Sequence, residues 1–271
     1  MLFWRVGHEN GRDTMQAGRK PHEKLEDYRY FLKDSIRQEI NFTQTAQSRR
    51  LPAPPLQKPS HGDTVRIDLP EGPRSLRHCC RAPVGEAIME RESVRFYSDE
   101  ALTLEELSAL LWATQGVRHV LSEECALRTV PSAGARHSFE TYIAVSHVEE
   151  LPAGLYRYLP FDHQLLQLFL DEKIGDKASW ACMAQRFVAG AAVTFFWTTI
   201  PARTEWRYDL AAHKVIALDA GHVCQNLYLA CTALGAGTCA IAAYDQAECD
   251  RLLGVDGEDE FTVYIAPVGK V

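Results

Sequence analysis

Three residues in the stretch RESVRF, Arg91, Ser93 and Arg95, stand two positions apart. In an extended chain, positions i, i+2 and i+4 share a face. Two guanidiniums and a hydroxyl would then point the same way, with Glu92 directed oppositely. Such a set suits an anion, because guanidiniums grip phosphate bidentately and a serine adds another donor. Two small-residue stretches would let backbone approach a flat ligand: Ser132, Ala133, Gly134 and Ala135 within RTVPSAGARHSFE, and LGAGTCAIAAYD over residues 234–245. Lys270, one residue from the end, is a further cation. Asp219, His222 and Asn226 follow at i, i+3 and i+7 as a polar stripe, which reads as hydrogen-bonded scaffolding rather than an acid–base site. His78, Cys79 and Cys80 lack the second ligand pair that a zinc site needs.

The elements that must position these groups are legible from periodicity and breakers. Residues 22–46 read as a polar helix, and LPAPPLQKP (51–59) as an extended, proline-rich arm. A short helix, VGEAIMERES, runs into the RESVRF strand. Thr103 and Glu106 form a capping box for a helix with Leu104, Leu107, Leu110 and Leu111 on its apolar face, closed by Gly116. Strands are expected over 139–145, 191–200, 237–244 and 260–269, with a hairpin over 154–170 turning near 161–163. The continuous apolar run at 191–200 belongs in a sheet centre. Residues 213–235 form the longest helix, apolar nearly all round and so buried on more than one side. Helices mixed with antiparallel hairpins give an α+β class. Residues 1–83 read as an N-terminal extension, helix plus arm, that needs a surface to lie on, an adjacent subunit being the natural one. Residues 84–271 read as the folded domain.

Composition narrows the function. The 271 residues carry 46% apolar and 24% charged side chains and a formal net charge of −7. That charge, with a pI near 5.8, does not suit a nucleic-acid partner, and local basic clusters stand out against the acidic background. No apolar run is long enough to span a membrane, and residues 1–13 lack a signal-peptide pattern. Eight cysteines without secreted spacing fit a reducing cytoplasm.

Five stretches in register, RESVRFYSDEALTLEELSALLWATQGV, LRTVPSAGARHSFETY, LDAGHVCQNLYLA, GTCAIAAYD and PVGK, resemble the nitroreductase superfamily. Within it they look like the SagB-type or ThcOx-like branch of FMN-dependent dehydrogenases, as a short stand-alone member. The resemblance implies a central, mostly antiparallel sheet flanked by helices, in an intertwined homodimer with two flavins at its interface. It implies that Arg91, Ser93 and Arg95 hold the FMN phosphate and ribityl chain, with Lys270 adding to the phosphate site. Pro131, Ser132, Ala133 and Gly134 would lie along the flavin from the partner subunit. Ala240, Ile241, Ala242 and Ala243 would run along its ring, with the N–H groups of Ala242 and Ala243 facing N5 and O4. Relatives often carry SAGALYP where this chain has SAGARHS, so Arg136 and His137 are expected on the substrate side. Arg128, Arg136, Arg203 and Arg207 are all candidates for a cation at N1 and O2.

The function so implied is two-electron hydride transfer, from NAD(P)H through FMN to a small organic acceptor. Azoline dehydrogenation in peptide modification is an alternative, although its catalytic lysine–tyrosine pair has no recognisable motif here. A flavin-binding protein without turnover is another.

Overall fold

The computed structural model describes residues 21–60, 62 and 64–271, so the opening stretch at 1–13 lies outside the described residues. The described residues divide into two compact units, one ending at Ile40 and the other spanning Asn41–Val271. In the first, α1 (Pro21–Leu32) is shorter than the helix expected over 22–46 and gives way to a 3₁₀ turn at Ser35–Glu39. Asp34 explains the break: its carboxylate takes the Arg37 guanidinium at 3.0 Å, an alternative to continued helix. At the start of the second unit Asn41 repeats the device, accepting from the Thr43 N–H at 3.1 Å.

The second unit contains β1 (Arg66–Asp68), α2 (Gly72–Cys79), α3 (Val84–Glu90), α4 (Leu104–Gln115), β2 (Val117–Ser122), β3 (Cys125–Arg128) and β4 (Phe139–Val145). It continues through β5 (Gly154–Leu159), β6 (Gln164–Leu170), α5 (Ile174–Ala181), α6 (Arg186–Ala189) and β7 (Val193–Thr199). The last elements are α7 (Ala202–Tyr208), α8 (Ala212–Leu234), β8 (Ala236–Thr238), α9 (Gln246–Leu253) and β9 (Phe261–Lys270). Seven strands form one sheet in the order β1-β6-β5-β4-β7-β9-β8, every neighbouring pair antiparallel. The class is α+β, as the sequence implies.

Side-chain alternation builds two cores from one sheet. Ile143 and Val145 of β4, with Phe195 and Trp197 of β7, pack against α4 and α8. Tyr142 and Ala144, with Phe196, face α5 and α9 on the other side. This is why β7 reads as an unbroken apolar run: both of its faces are covered. Phe195 and Phe196 are fully buried, each worth roughly 1.5–3 kcal/mol of apolar transfer. α4 starts at the expected capping box, Thr103 accepting from Glu106 N–H while the Glu106 carboxylate accepts from Thr103 N–H.

The proline-rich arm lies on its own chain, contrary to the expectation that an adjacent subunit carries it. Three buried arginines take its carbonyls: Arg203 that of Pro55 (2.7 Å), Arg128 that of Leu56 (3.0 Å) and Arg157 that of Pro59 (3.0 Å). An extended arm has no internal hydrogen bonds, so its carbonyls are free to be claimed. β1 then adds to the sheet edge beside β6, and α2 packs on α4, so residues 41–83 lie within the larger compact unit.

Two histidines, His137 buried and His163 half-buried, are pushed toward the neutral form. His137 lies below its usual range, at about 3, through burial and then the charge of Arg128, with Arg136 and Arg203 adding to it. His163 is lowered by burial while bonding to Ser108, Tyr158 and Pro70 O. A depressed pKa in the fold means that unfolding takes up protons. Stability from these groups is fully present above about pH 6.5 and declines as pH falls toward 3. Urea unfolding between pH 7 and 4 should show this decline, His137 contributing up to about 1.4 kcal/mol per pH unit. His137→Asn, which tolerates the φ of 44° there, should give a shallower slope. An unchanged slope would show that His137 is not held neutral.

Candidate active site

The segment carrying Arg91, Ser93 and Arg95 is not a regular strand. Arg91 is the C-cap of α3, its N–H still bonded to Ala87 O, and only Ser93 bridges, in parallel, to Thr238. β8 is just three residues long, so its outer edge offers little to pair with. The segment is nevertheless pinned: Val94 N–H donates to Thr238 O at 3.0 Å and Ser98 N–H to Lys270 O at 2.9 Å. Two glycines permit this contact. A Cβ on Gly237 would stand 2.6 Å from Val94 Cβ, and one on Gly269 would stand 2.7 Å from the Tyr97 ring.

Arg91 and Ser93 converge on Tyr228 of α8. The Arg91 guanidinium lies 5.3 Å from the centre of the Tyr228 ring, and Ser93 Oγ is 3.0 Å from Tyr228 Oη. Arg95 is exposed and directed to Phe187, 6.0 Å from its ring centre. Neither guanidinium has a carboxylate partner among the described residues. Lys270 does: its Nζ is 2.5 Å from Glu106 Oε1, so its charge is balanced by the capping-box carboxylate of α4.

The strand expected over 237–244 breaks after Thr238. The register carries through the gap, with Thr238 opposite Val268 and Ile241 opposite Ile265, but Pro267 in between has no N–H to give. Beyond the gap the chain is held by Ile241 N–H to Ile265 O at 2.7 Å and by Gln185 to Ala243 O at 2.9 Å. Ala240 N–H turns outward to Tyr228 Oη at 2.8 Å. Ala242 and Ala243 are exposed, and their N–H groups find no partner among the described residues. Ala242 also borders a cavity of about 440 Å³ between α8 and β9, walled by Ile216, Ala220, Phe261, Val263 and Tyr264. Thr199 lines it with a buried hydroxyl that has no hydrogen-bond partner among the described residues.

Pro131, Ser132, Ala133 and Gly134 are held at the other end of α8. Asp219 accepts from Ala133 N–H at 3.1 Å and from the Ser132 hydroxyl; burial pushes its carboxyl up, against the pull of those bonds. Gly134 has φ 60°, and a Cβ there would meet Arg207 Cδ at 2.7 Å. Asp219 and Tyr228 are nine residues apart, about 13 Å along the helix. Within one protomer the two sets of candidate residues therefore do not meet. Asn226 donates to Ala113 O at 2.9 Å, so the polar stripe of α8 supports loops and helix packing.

Arg136 and His137 are buried, not on a substrate face as expected. Arg136 bonds to the carbonyls of Arg203 and Glu124 and lies over Trp206. Arg128 and Arg203 are committed to the arm, and Arg203 also to Glu140 at 2.6 Å. Of the four cations only Arg207 is partly exposed, lying beside Gly134. Tyr228 belongs to none of the motifs read from type and spacing, although it is the one aromatic hydroxyl on an otherwise apolar stretch of α8.

Residues 88–270 match the Nitroreductase family. The chain belongs to that family. This nitroreductase-like oxidoreductase is 33% identical over 209 residues to a nitroreductase-like protein of Methanocaldococcus jannaschii, covering 77% of this chain and 98% of that one. Among solved structures it is similar to a nitroreductase-like protein of Ralstonia eutropha JMP134, at 27% identity and TM-score 0.63, covering 82% of this chain and 99% of the other. It also resembles one from Anabaena variabilis ATCC 29413, at 25% identity and TM-score 0.63, covering 76% of this chain but only 42% of that longer one.

The close seat of residues 93–98 gives a direct test. Gly237→Ala forces Val94 away, an overpacking cost of about 1–3 kcal/mol. The melting temperature should fall, and the Val94 amide should exchange with solvent faster than in the native protein. Unchanged exchange at Val94 would mean that Gly237 does not set this contact.

Proposed function

We propose that this family member is an FMN-dependent reductase that passes a hydride from NAD(P)H to a small organic acceptor. The observation that carries the reading is the pair of exposed N–H groups at Ala242 and Ala243 that have no partner among the described residues, with Ala242 at an apolar cavity, together with two guanidiniums that have no carboxylate partner among those residues. These residues fit FMN. The cavity suits a flat ring, the small side chains let backbone reach its edge, and Arg91, Ser93 and Arg95 suit a terminal phosphate. When bound, FMN supplies the hydride-accepting chemistry. The protein supplies orientation: Ala242 and Ala243 as donors at the ring edge, the arginines at the phosphate, and the walls of α8 and β9 to exclude water. The paired Lys270 adds to the phosphate site only by exchanging Glu106 for phosphate. The resemblance of the five stretches to SagB-type dehydrogenases supports placing the chain in that branch.

We also propose a homodimer in which α8 crosses its own copy. Its exposed residues are His213, Ala217, Leu218, Gly221, His222 and Gln225, a stripe that runs through Gly221. Asp219 and Tyr228 lie on either side of Gly221 along the helix. An antiparallel crossing there carries Pro131–Gly134 of one protomer toward the Tyr228 end of the other, uniting the candidate residues that one protomer holds apart.

Purified protein should be yellow, release FMN on heating as identified by mass, bleach anaerobically with NADH or NADPH, and recolour with an acceptor. FAD would overturn the cofactor assignment. Colour that persists with both donors would favour a flavin-binding protein without turnover.

A Cβ at Gly221 meets nothing among the described residues of the protomer. Gly221→Leu should therefore fold, yet sediment as a monomer with weakened FMN retention, where the native protein sediments as a dimer. A native monomer loaded with FMN would refute the crossing.

A further inference from the structure

The geometry points to Tyr228 as a positioning residue that turns Ser93 into a donor for the flavin phosphate. The inference rests on the reading that residues 91–95 take that phosphate. It starts from the proton count at one phenol. Tyr228 Oη accepts from Ala240 N–H at 2.8 Å, which leaves it one proton of its own. The other polar atom at hydrogen-bonding distance among the described residues is Ser93 Oγ, at 3.0 Å. If Ser93 donated to Tyr228, the phenol proton would have no acceptor among the described residues. With Tyr228 donating, every proton is used: Ala240 N–H to Tyr228, Tyr228 O–H to Ser93, and Ser93 O–H directed outward. The same ring lies under the Arg91 guanidinium, 5.3 Å away, so it also steadies the neighbouring cation.

The arrangement follows from two features already described. The break opposite Pro267 leaves Ala240 outside the β8–β9 ladder, with its N–H facing α8. Gly237 lets Ser93 lie close enough to α8 to reach the phenol. Tyr228 thereby joins the proposed phosphate end of the site to the ring-side backbone through one oxygen.

Tyr228→Phe keeps the ring, and with it the packing and the seat for Arg91, but removes the hydroxyl. The full chain, stripped of flavin, should be titrated with FMN and with riboflavin, which lacks the phosphate. Tyr228→Phe should weaken FMN binding about tenfold, the scale of one hydrogen bond to a charged group, and riboflavin binding by much less. Ser93→Ala should cost a similar factor for FMN alone, and should cost nothing further in the Tyr228→Phe background. A purely structural Tyr228 would weaken both ligands equally, and independent roles would multiply the two losses; either result overturns the inference. If the native protein bound FMN and riboflavin equally well, the phosphate reading itself would fall, and this inference with it. Melting temperatures of the three variants, measured alongside, identify any loss due to unfolding.

Discussion

The fold turns on one buried carboxylate. Glu140 of β4, 2% exposed, faces Arg203 at 2.6 Å, accepts from the Lys58 N–H at 2.8 Å and has Arg157 at 3.9 Å. Glu260 doubles the arrangement, taking Lys58 Nζ at 2.5 Å, Tyr142 Oη at 2.9 Å and Thr198 Oγ1 at 2.7 Å. Charges this deep survive only when paired and hydrogen-bonded, and stripping one partner from such a pair costs about 3–5 kcal/mol. Glu140 holds Arg157 and Arg203, those arginines hold arm carbonyls, Glu260 holds Lys58 of the arm itself, and the arm closes over the sheet. Proline supplies this lattice with carbonyls that no ladder competes for.

That allocation also shapes the site. Arg128, Arg136 and Arg203 are spent on buried carbonyls and carboxylates. Desolvation and the nearby Arg203 even pull Arg128 down to about 10. Arg91 and Arg95 escape because their segment lies on the sheet edge, where the groups opposite are backbone rather than carboxylate. Arg207 escapes because α7 leaves it against Gly134, beyond the arm. The cations available to an anionic ligand are thus those the structure does not need for itself.

Interruptions in regular structure make the remaining features of the site. Pro267 breaks the β8–β9 ladder, freeing the backbone of residues 239–243 from strict pairing, and Ile241 restores the register so that the break stays local. β8 is too short to sustain a neighbouring strand, so residues 91–98 attach by isolated hydrogen bonds over two glycines. A continuous ladder would have fixed the same backbone at the expense of the outward N–H groups that a flat ligand could use.

The capping box of α4, the two-faced apolar run of β7, the length of α8 and the antiparallel hairpin at 154–170 were legible from sequence, because each depends on periodicity or on partners three or four residues away. Arg91, Ser93, Arg95 and the alanines of 240–243 were legible as residue types for the same reason: type and spacing are local. Which of them would meet was not. Ser93 finds its hydroxyl partner 135 positions on, and Lys270 its carboxylate 164 positions back. Arg136 and His137, next to the most recognisable loop of the chain, went into the interior instead of toward a ligand. Local backbone preference decides what an element is. Which buried charge is paired, and which cation is left over, depends on desolvation and on contacts between distant segments, and these exist only once the sheet and α8 have closed on each other.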